Sequence, residues 1–309
     1  MSITKVRVGV VGVGHIGSNH ARLYAEIPSA EFTVVYDVDV ARGNAIAKKF
    51  GATSARSLDE FIGMVGAASV ATPTNTHYEI ARSLLAHGKH VLVEKPITDD
   101  TAHAAELTEL AARNGLILQV GHVERFNPVL SALERHLTHP RFIEAHRLAP
   151  YPGRSTDIGV VLDLMIHDLE VILHFVRSPV QSVDAVGVPV LSHGEDIANA
   201  RLRFENGCVA NVTSSRISPE RMRKIRVFQE DAYLSLDYQN QSGEIYRRSG
   251  GRITRDRVEI EREEPLKRQL TSFIECASTG RQPRVSGYQA TAALELAVEI
   301  TKRIASSSA

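Results

Sequence analysis

The chain has 309 residues, 43% of them hydrophobic and 23% charged, with 36 basic against 36 acidic side chains. That length exceeds one typical core and suits two domains, and the composition is that of an ordinary globular protein. Zero formal net charge gives no pull toward nucleic acid or an anionic membrane, and no apolar run approaches the roughly 18 residues that span a bilayer.

The first 120 residues alternate strand and helix patterns. "KVRVGVVGVG" is a valine-rich run of the kind buried on both faces of a sheet, and "HIGSNHARLYAEI" follows with helical spacing. "FTVVYDVD" is a second buried strand, and "ARGNAIAKKFG" a helix that Gly51 stops. "ASVATP" and "HVLVEKP" are strands ending at prolines, on either side of the helix "THYEIARSLLAHGK". Asp99 or Asp100 caps the helix "TAHAAELTELAARNG", and "LILQVGH" is the last strand of the series. Such alternation implies βαβ units and a doubly wound parallel sheet covered on both faces.

Beyond a boundary near residue 122 the pattern changes. "RFNPVLSALERHL" is a helix with Pro128 in its first turn, followed by the strand "FIEAHRLAP" and the apolar helix "VVLDLMIHDLEVIL". Seven segments from "SVDAVGVPVL" to "RITRDRVEIE" then alternate in period two, with Gly207 and Gly243 at expected hairpin turns. Two helices, over 264–279 and 287–305, close the chain. Residues 123–309 are thus expected to form an α+β domain on an open, mostly antiparallel sheet, one face packed on helices and the other polar. The chain opens on a strand pattern without an apolar leader, and Cys208 and Cys276 lie far apart, which predicts reduced thiols in a cytoplasmic protein.

Gly12, Gly14 and Gly17 are spaced GxGxxG between a buried strand and a helix. In that context Gly12 permits the tight turn, Gly14 lets backbone approach a pyrophosphate, and Gly17 lets the helix lie close on the strand. The helix start at His15 and Ile16 offers unsatisfied N–H groups and a positive dipole to phosphate. Asp37 ends the second strand, twenty residues after Gly17. A carboxylate there accepts from the adenosine ribose hydroxyls and repels a 2′-phosphate, which favours NAD over NADP. Asp37 could instead cap the next helix, as could Asp39, and Arg42 nearby would soften the preference.

Glu94, Lys95 and Pro96 stand at the carboxyl end of a parallel strand, the edge where doubly wound sheets bind ligands. Lys95 is a surface residue on the plainest reading; near a hydroxyl it would stabilise developing alkoxide. Asp163 and His167 interrupt an apolar helix four residues apart and share one face. They are either a buried packing pair or an acid and base at a site. Histidine, with an ordinary pKa of about 6.5, suits removal of a hydroxyl proton near neutrality. A metal set of His122, His146, Asp163 and His167 is permitted by spacing, but no His-x-x-x-His or cysteine cluster supports it, and no metal is expected.

"GVGHIG", "ATPTNTHYEIA", "VEKP", "RFNP" and "LDLMIHD", in that order, resemble the Gfo/Idh/MocA oxidoreductases over nearly the whole chain. The resemblance implies a Rossmann domain, an α+β domain whose sheet forms homodimers or homotetramers, a bound nicotinamide, and oxidation or reduction at a sugar or cyclitol carbon. It places the family's catalytic lysine, aspartate and histidine on Lys95, Asp163 and His167, and cofactor-lining positions on Thr72, Pro73, Asn75, His77, Glu94 and His122. The arginine of its "RF" motif falls on Arg125, and the "AHR" strand of inositol dehydrogenase-like members on Ala145, His146 and Arg147.

Within the family, the segments around "VGHVERFNP" and "AHRLAPYPGRSTDIGVVLDLMIHDLEVIL" are most similar to dehydrogenases of UDP-N-acetylglucosamine. That implies oxidation of a 3-hydroxyl on the way to a 3-amino sugar for lipid A. A UDP-sugar needs cations for its pyrophosphate; Arg154, Arg216, Arg221 and Arg223 are available, and Tyr151 could stack on a ring. The alternatives are a dehydrogenase of a free sugar or cyclitol, and a nicotinamide-bound regulator without turnover.

Overall fold

A computed structural model describes residues 5–151 and 158–307. The chain divides into two compact units, Met1–Val123 with Glu264–Thr291, and Glu124–Glu263 with Ala292–Ala309.

The first unit begins β1 (Val6–Val11), α1 (His15–Glu26), β2 (Ala30–Tyr36), α2 (Val40–Phe50), β3 (Thr53–Ser54) and α3 (Leu58–Met64). It continues β4 (Ala67–Val70), α4 (His77–Ala86), β5 (His90–Glu94), α5 (Thr101–Arg113) and β6 (Leu118–Gly121). The sheet is parallel, ordered β3-β2-β1-β4-β5-β6, so the winding reverses between β1 and β4. Local chemistry sets the ends of these elements. Gly51 closes α2 at φ 72°, and the Asp100 carboxylate accepts from the amides of Ala102 and His103 at the start of α5. The expected series lacks β3 and α3. The signal for α3 is the S-x-x-E spacing of a capping box: Ser57 accepts from the Glu60 amide, while Glu60 accepts from the Arg56 amide, one residue before the cap.

The first unit takes in a late segment of the chain, Glu264–Thr291, as well as its opening residues. Leu270, Phe273, Ile274 and Cys276 of α8 (Pro265–Thr279) join the first unit's core with Val8, Val10 and Leu23. The Gln119 side-chain amide donates to the Gln269 carbonyl at 3.1 Å, and the Val120 amide to the Val285 carbonyl at 3.0 Å.

The second unit holds α6 (Pro128–His136), β7 (Phe142–Leu148), α7 (Ile166–Val176) and seven further strands. These are β8 (Val180–Val188), β9 (Ile197–Phe204), β10 (Val209–Ser215), β11 (Met222–Phe228), β12 (Ala232–Asp237), β13 (Ser242–Ser249) and β14 (Arg252–Arg257). Most of α9 (Gly287–Ser307) also belongs here. The order is β14-β13-β12-β11-β7-β10-β9-β8, antiparallel except where β7 meets β10. One face buries Ile143, Ala145, Val212, Ile225 and Val227; the other leaves Glu144, His146, Thr213, Lys224 and Arg226 partly exposed. A row of rings, Phe142, Phe228, Tyr233 and Tyr246, crosses that open face with centroids 4.6–5.6 Å apart. Gly207 closes the β9–β10 hairpin at φ 82°, as expected. Gly243 does not occupy a turn. It pairs with Leu236 inside β13, where a Cβ would lie 2.2 Å from the Leu236 side chain, and the turn before it places Gln241 at φ 45°.

Candidate active site

The glycine turn of the first unit fits a dinucleotide. Gly12 has φ 79°, and a Cβ there would stand 2.6 Å from the Thr72 methyl. A Cβ on Gly17 would sit 1.8 Å from the Gly12 carbonyl, so α1 can back onto the turn only as glycine. Gly14 faces open space at the N-cap of α1, with no side-chain cap and no acid in the first turn. His15 and Ile16 are exposed there, and the helix's first N–H groups are available to an anion.

Asp37 follows the end of β2, only 8% exposed. Its carboxylate accepts from the amides of Val13 and Asp39, each at 2.8 Å, and from Arg42 Nε at 3.1 Å and Nη2 at 3.0 Å. Burial pushes its pKa up, but the Arg42 guanidinium and the two amides outweigh that and hold it below the usual carboxylate range. Capping of α2 falls to Asp39, which accepts from the Arg42 amide at 3.1 Å.

The loop after β4 carries Thr72, Pro73 and Asn75, of which Pro73 and Asn75 are exposed. His77 is 1% exposed, and its ring nitrogens lie 2.9 Å from the carbonyls of Pro96 and Thr72. It thereby ties this loop to the turn after β5. Lys95 is half-buried in that turn, ahead of a cis bond to Pro96. Glu94 Oε1 lies 3.3 Å from Nε2 of the fully buried His20, a contact not aligned as a hydrogen bond, and accepts from Gln269 Nε2 at 3.5 Å. A Cβ on Gly121 would meet the Glu94 carboxylate at 2.4 Å, so β6 needs glycine there. Glu94 Oε1 is thus engaged inside the protein, while the side chain keeps 18% exposure. His122 is 1% exposed at the end of β6.

In the second unit, Asp163 lies in a π-helical turn, Val161–Met165, and His167 in the first turn of α7. Both are half-buried, flanked by fully buried Met165 and Ile166. The four-residue spacing therefore crosses a widened turn, a distortion that recurs at functional sites. Glu195 holds the start of this segment: its carboxylate accepts from the Val161 amide at 3.2 Å and its carbonyl from the Val160 amide at 2.9 Å. A Cβ on Gly159 would meet the Glu195 carboxylate at 2.0 Å.

Several expected substrate residues stand elsewhere. His146 lies on the open face of β7, while Ala145 and Arg147 face α7, because alternate strand residues point to opposite sides. That removes His146 from Asp163 and His167 and disperses the four-residue metal set. Arg147 instead forks onto Asp168 of α7, at 2.7 and 3.0 Å, and donates to Glu124 at 2.9 Å. Arg216 is 1% exposed and donates to Asp196 at 2.8 Å, Ser192 at 2.7 Å and the Ile158 carbonyl at 2.7 Å, so it braces the approach to the π turn. Arg223 lies 3.5 Å from Glu124, Arg221 and Tyr151 are exposed, and Arg154 lies outside the described residues. The buried acids Glu124, Asp168, Glu170, Glu195 and Asp196 were not anticipated; the "HD" step, with an acid one residue beyond His167, is the signal that could have found Asp168.

Arg125, 3% exposed, lies 3.5 Å from Glu170 and so is spent on a buried acid. The contact is long for a charge-assisted bond, and burial wins: it pushes the Glu170 carboxyl up to about 8 against the pull of Arg125. A carboxyl raised in the folded state contributes stability below its unfolded pKa of about 4.3, and loses it as pH rises through the folded value. Glu170→Gln is therefore expected to lose less thermal stability than the native chain between about pH 5 and 9. Parallel plots of Tm against pH would show that Glu170 is ionised in the native pair.

Residues 6–122 match the family described as "Oxidoreductase family, NAD-binding Rossmann fold", and residues 134–235 match the GFO/IDH/MocA C-terminal domain. The chain is 35% identical over 302 residues to UDP-N-acetylglucosamine 3-dehydrogenase of Acidithiobacillus ferrooxidans, covering 96% of each. The solved structure of that protein aligns with a TM-score of 0.93 at 34% identity, covering 97% of this chain and 98% of the other. The chain is also 25% identical to scyllo-inositol 2-dehydrogenase (NAD(+)) of Bacillus subtilis, covering 96% of this chain and 93% of that one. With a dinucleotide turn of the right stereochemistry and both halves of the family pattern matched, the chain belongs to the GFO/IDH/MocA family of NAD-binding oxidoreductases.

Proposed function

We propose that this protein oxidises the 3-hydroxyl of UDP-N-acetylglucosamine with NAD, toward a 3-amino sugar of the lipid A type. The observation that carries the substrate is the 35% identity with a named dehydrogenase of that sugar across 96% of both chains. When bound, the nicotinamide supplies the hydride acceptor. The amides that open α1 hold its pyrophosphate, and Asp37 accepts from the adenosine ribose. His167 takes the hydroxyl proton, the Lys95 ammonium donates to the reacting oxygen as its charge develops, and Asp163 holds a substrate hydroxyl. The exchange of roles between His167 and Lys95 is the main variant of this scheme. The open sheet face, with its ring row and charged strands, is the proposed surface for self-association into a dimer or tetramer. The two buried free thiols, Cys208 and Cys276, accord with a reducing cytoplasm.

The test is a panel of UDP-N-acetylglucosamine, free N-acetylglucosamine, myo-inositol and scyllo-inositol with NAD, followed at the reduced-nicotinamide absorbance band. Turnover of the UDP-sugar far above the others is expected. Turnover confined to the cyclitols would replace the substrate. Tight NAD binding without turnover on any of them would indicate a non-catalytic, nicotinamide-bound regulator.

A further inference from the structure

We infer that Arg42 is a movable cover on the ribose-recognising carboxylate of Asp37, and that it sets how far the protein tolerates a 2′-phosphate on the cofactor. The inference rests on the NAD reading of the glycine turn. A carboxylate offers about four acceptor positions on its two oxygens. On Asp37 all four are taken: Oδ1 by the Asp39 amide and Arg42 Nη2, Oδ2 by the Val13 amide and Arg42 Nε. The two amides are backbone, fixed by the turn after β1 and by the start of α2, and cannot withdraw. The other two donors belong to one fork on a side chain that is 45% exposed, against 5% for the Asp37 side chain.

Two vicinal hydroxyls arriving at Asp37 need the two positions that the fork covers. NAD therefore binds by displacing the guanidinium into solvent, which the 45% exposed Arg42 side chain can reach, while the ribose hydroxyls replace its two hydrogen bonds to the buried carboxylate. With a 2′-phosphate, Asp37 alone would repel the ligand. The displaced guanidinium then has a new partner, since a planar fork matches phosphate as well as carboxylate. One side chain thereby opposes NAD slightly and rescues NADP. The neighbouring Val38, 86% exposed, brings no charge to either cofactor.

The experiment measures Kd for NADH and NADPH, by nucleotide fluorescence, on the native chain, Arg42→Ala and Arg42→Lys. For Arg42→Ala, NADH should bind as tightly as to the native chain or up to about threefold tighter, and NADPH about tenfold or more weaker. Arg42→Lys should fall between, because an ammonium restores charge without the fork. Equal weakening of both nucleotides would overturn the inference, assigning Arg42 to a part the two cofactors share. So would a Kd ratio that moves by less than about threefold. If the native chain binds neither nucleotide, the NAD reading itself falls and the inference with it. That result is distinguishable, because it appears before any substitution is made.

Discussion

Replacing His167 by asparagine is expected to lower kcat by about two to four decades while leaving the Kd for NAD unchanged. Asparagine keeps a comparable volume and one hydrogen-bonding end, so the half-buried site on α7 can remain packed. It cannot take a proton near neutrality, whereas an imidazole of ordinary pKa about 6.5 can. NAD affinity is expected to survive because His167 belongs to the second unit, whereas the Gly12–Gly17 turn and Asp37 belong to the first. Steady-state kinetics with the UDP-sugar and a separate nucleotide titration make the distinction. Lys95→Met is the companion variant. If His167→Asn keeps kcat within about threefold of the native value while Lys95→Met abolishes turnover, the proton acceptor is the lysine.

The parts legible in the sequence are those decided within a few residues. A glycine that must adopt positive φ, a serine or aspartate that caps a helix, and a strand that alternates in period two all carry their cause locally, and β1, α2, α5 and β8–β14 follow from them. The dinucleotide turn was legible for the same reason. What could not be read is which charges the fold buries against each other. Arg125, Arg147 and Arg216 look like ligand-binding cations as letters; in three dimensions each is spent on an acid, and those acids lie 45, 21 and 20 residues away. The return of α8 to the first core is hidden similarly, because an amphipathic helix does not state which sheet it will cover. The face that His146 takes is likewise decided by a single pleat: its neighbours face the helix and it does not.

The Arg147 fork explains why α7, the helix of the proposed base His167, is set at one angle, and it makes the second large prediction. The buried residues of α7 include Ile166, Leu169, Glu170, Val171, Ile172 and Phe175, so no narrow apolar stripe fixes its rotation. Two hydrogen bonds from Arg147 to Asp168 do: they turn Asp168 to the sheet, about 100° around the helix from His167, which is left half-exposed. Burial raises the Glu124 pKa, but Arg147 outweighs it and keeps that carboxyl below its ordinary range. Removing the cation leaves two buried carboxylates without their main partner. Arg147→Met is therefore expected to destabilise the second unit by about 3–5 kcal/mol at neutral pH, a fall in its Tm of roughly 10 °C. The sign with pH follows from linkage. In the native chain the depressed Glu124 contributes stability above its unfolded pKa of about 4.3, lost as pH falls. In the variant Glu124 can relieve its burial by taking up a proton, so the deficit should narrow toward about pH 5. Thermal unfolding of both proteins at about pH 5 and 8 measures this. A deficit of the same size at both would assign the loss to packing of the arginine stem rather than to its charge, and the rotation of α7 would then need another cause.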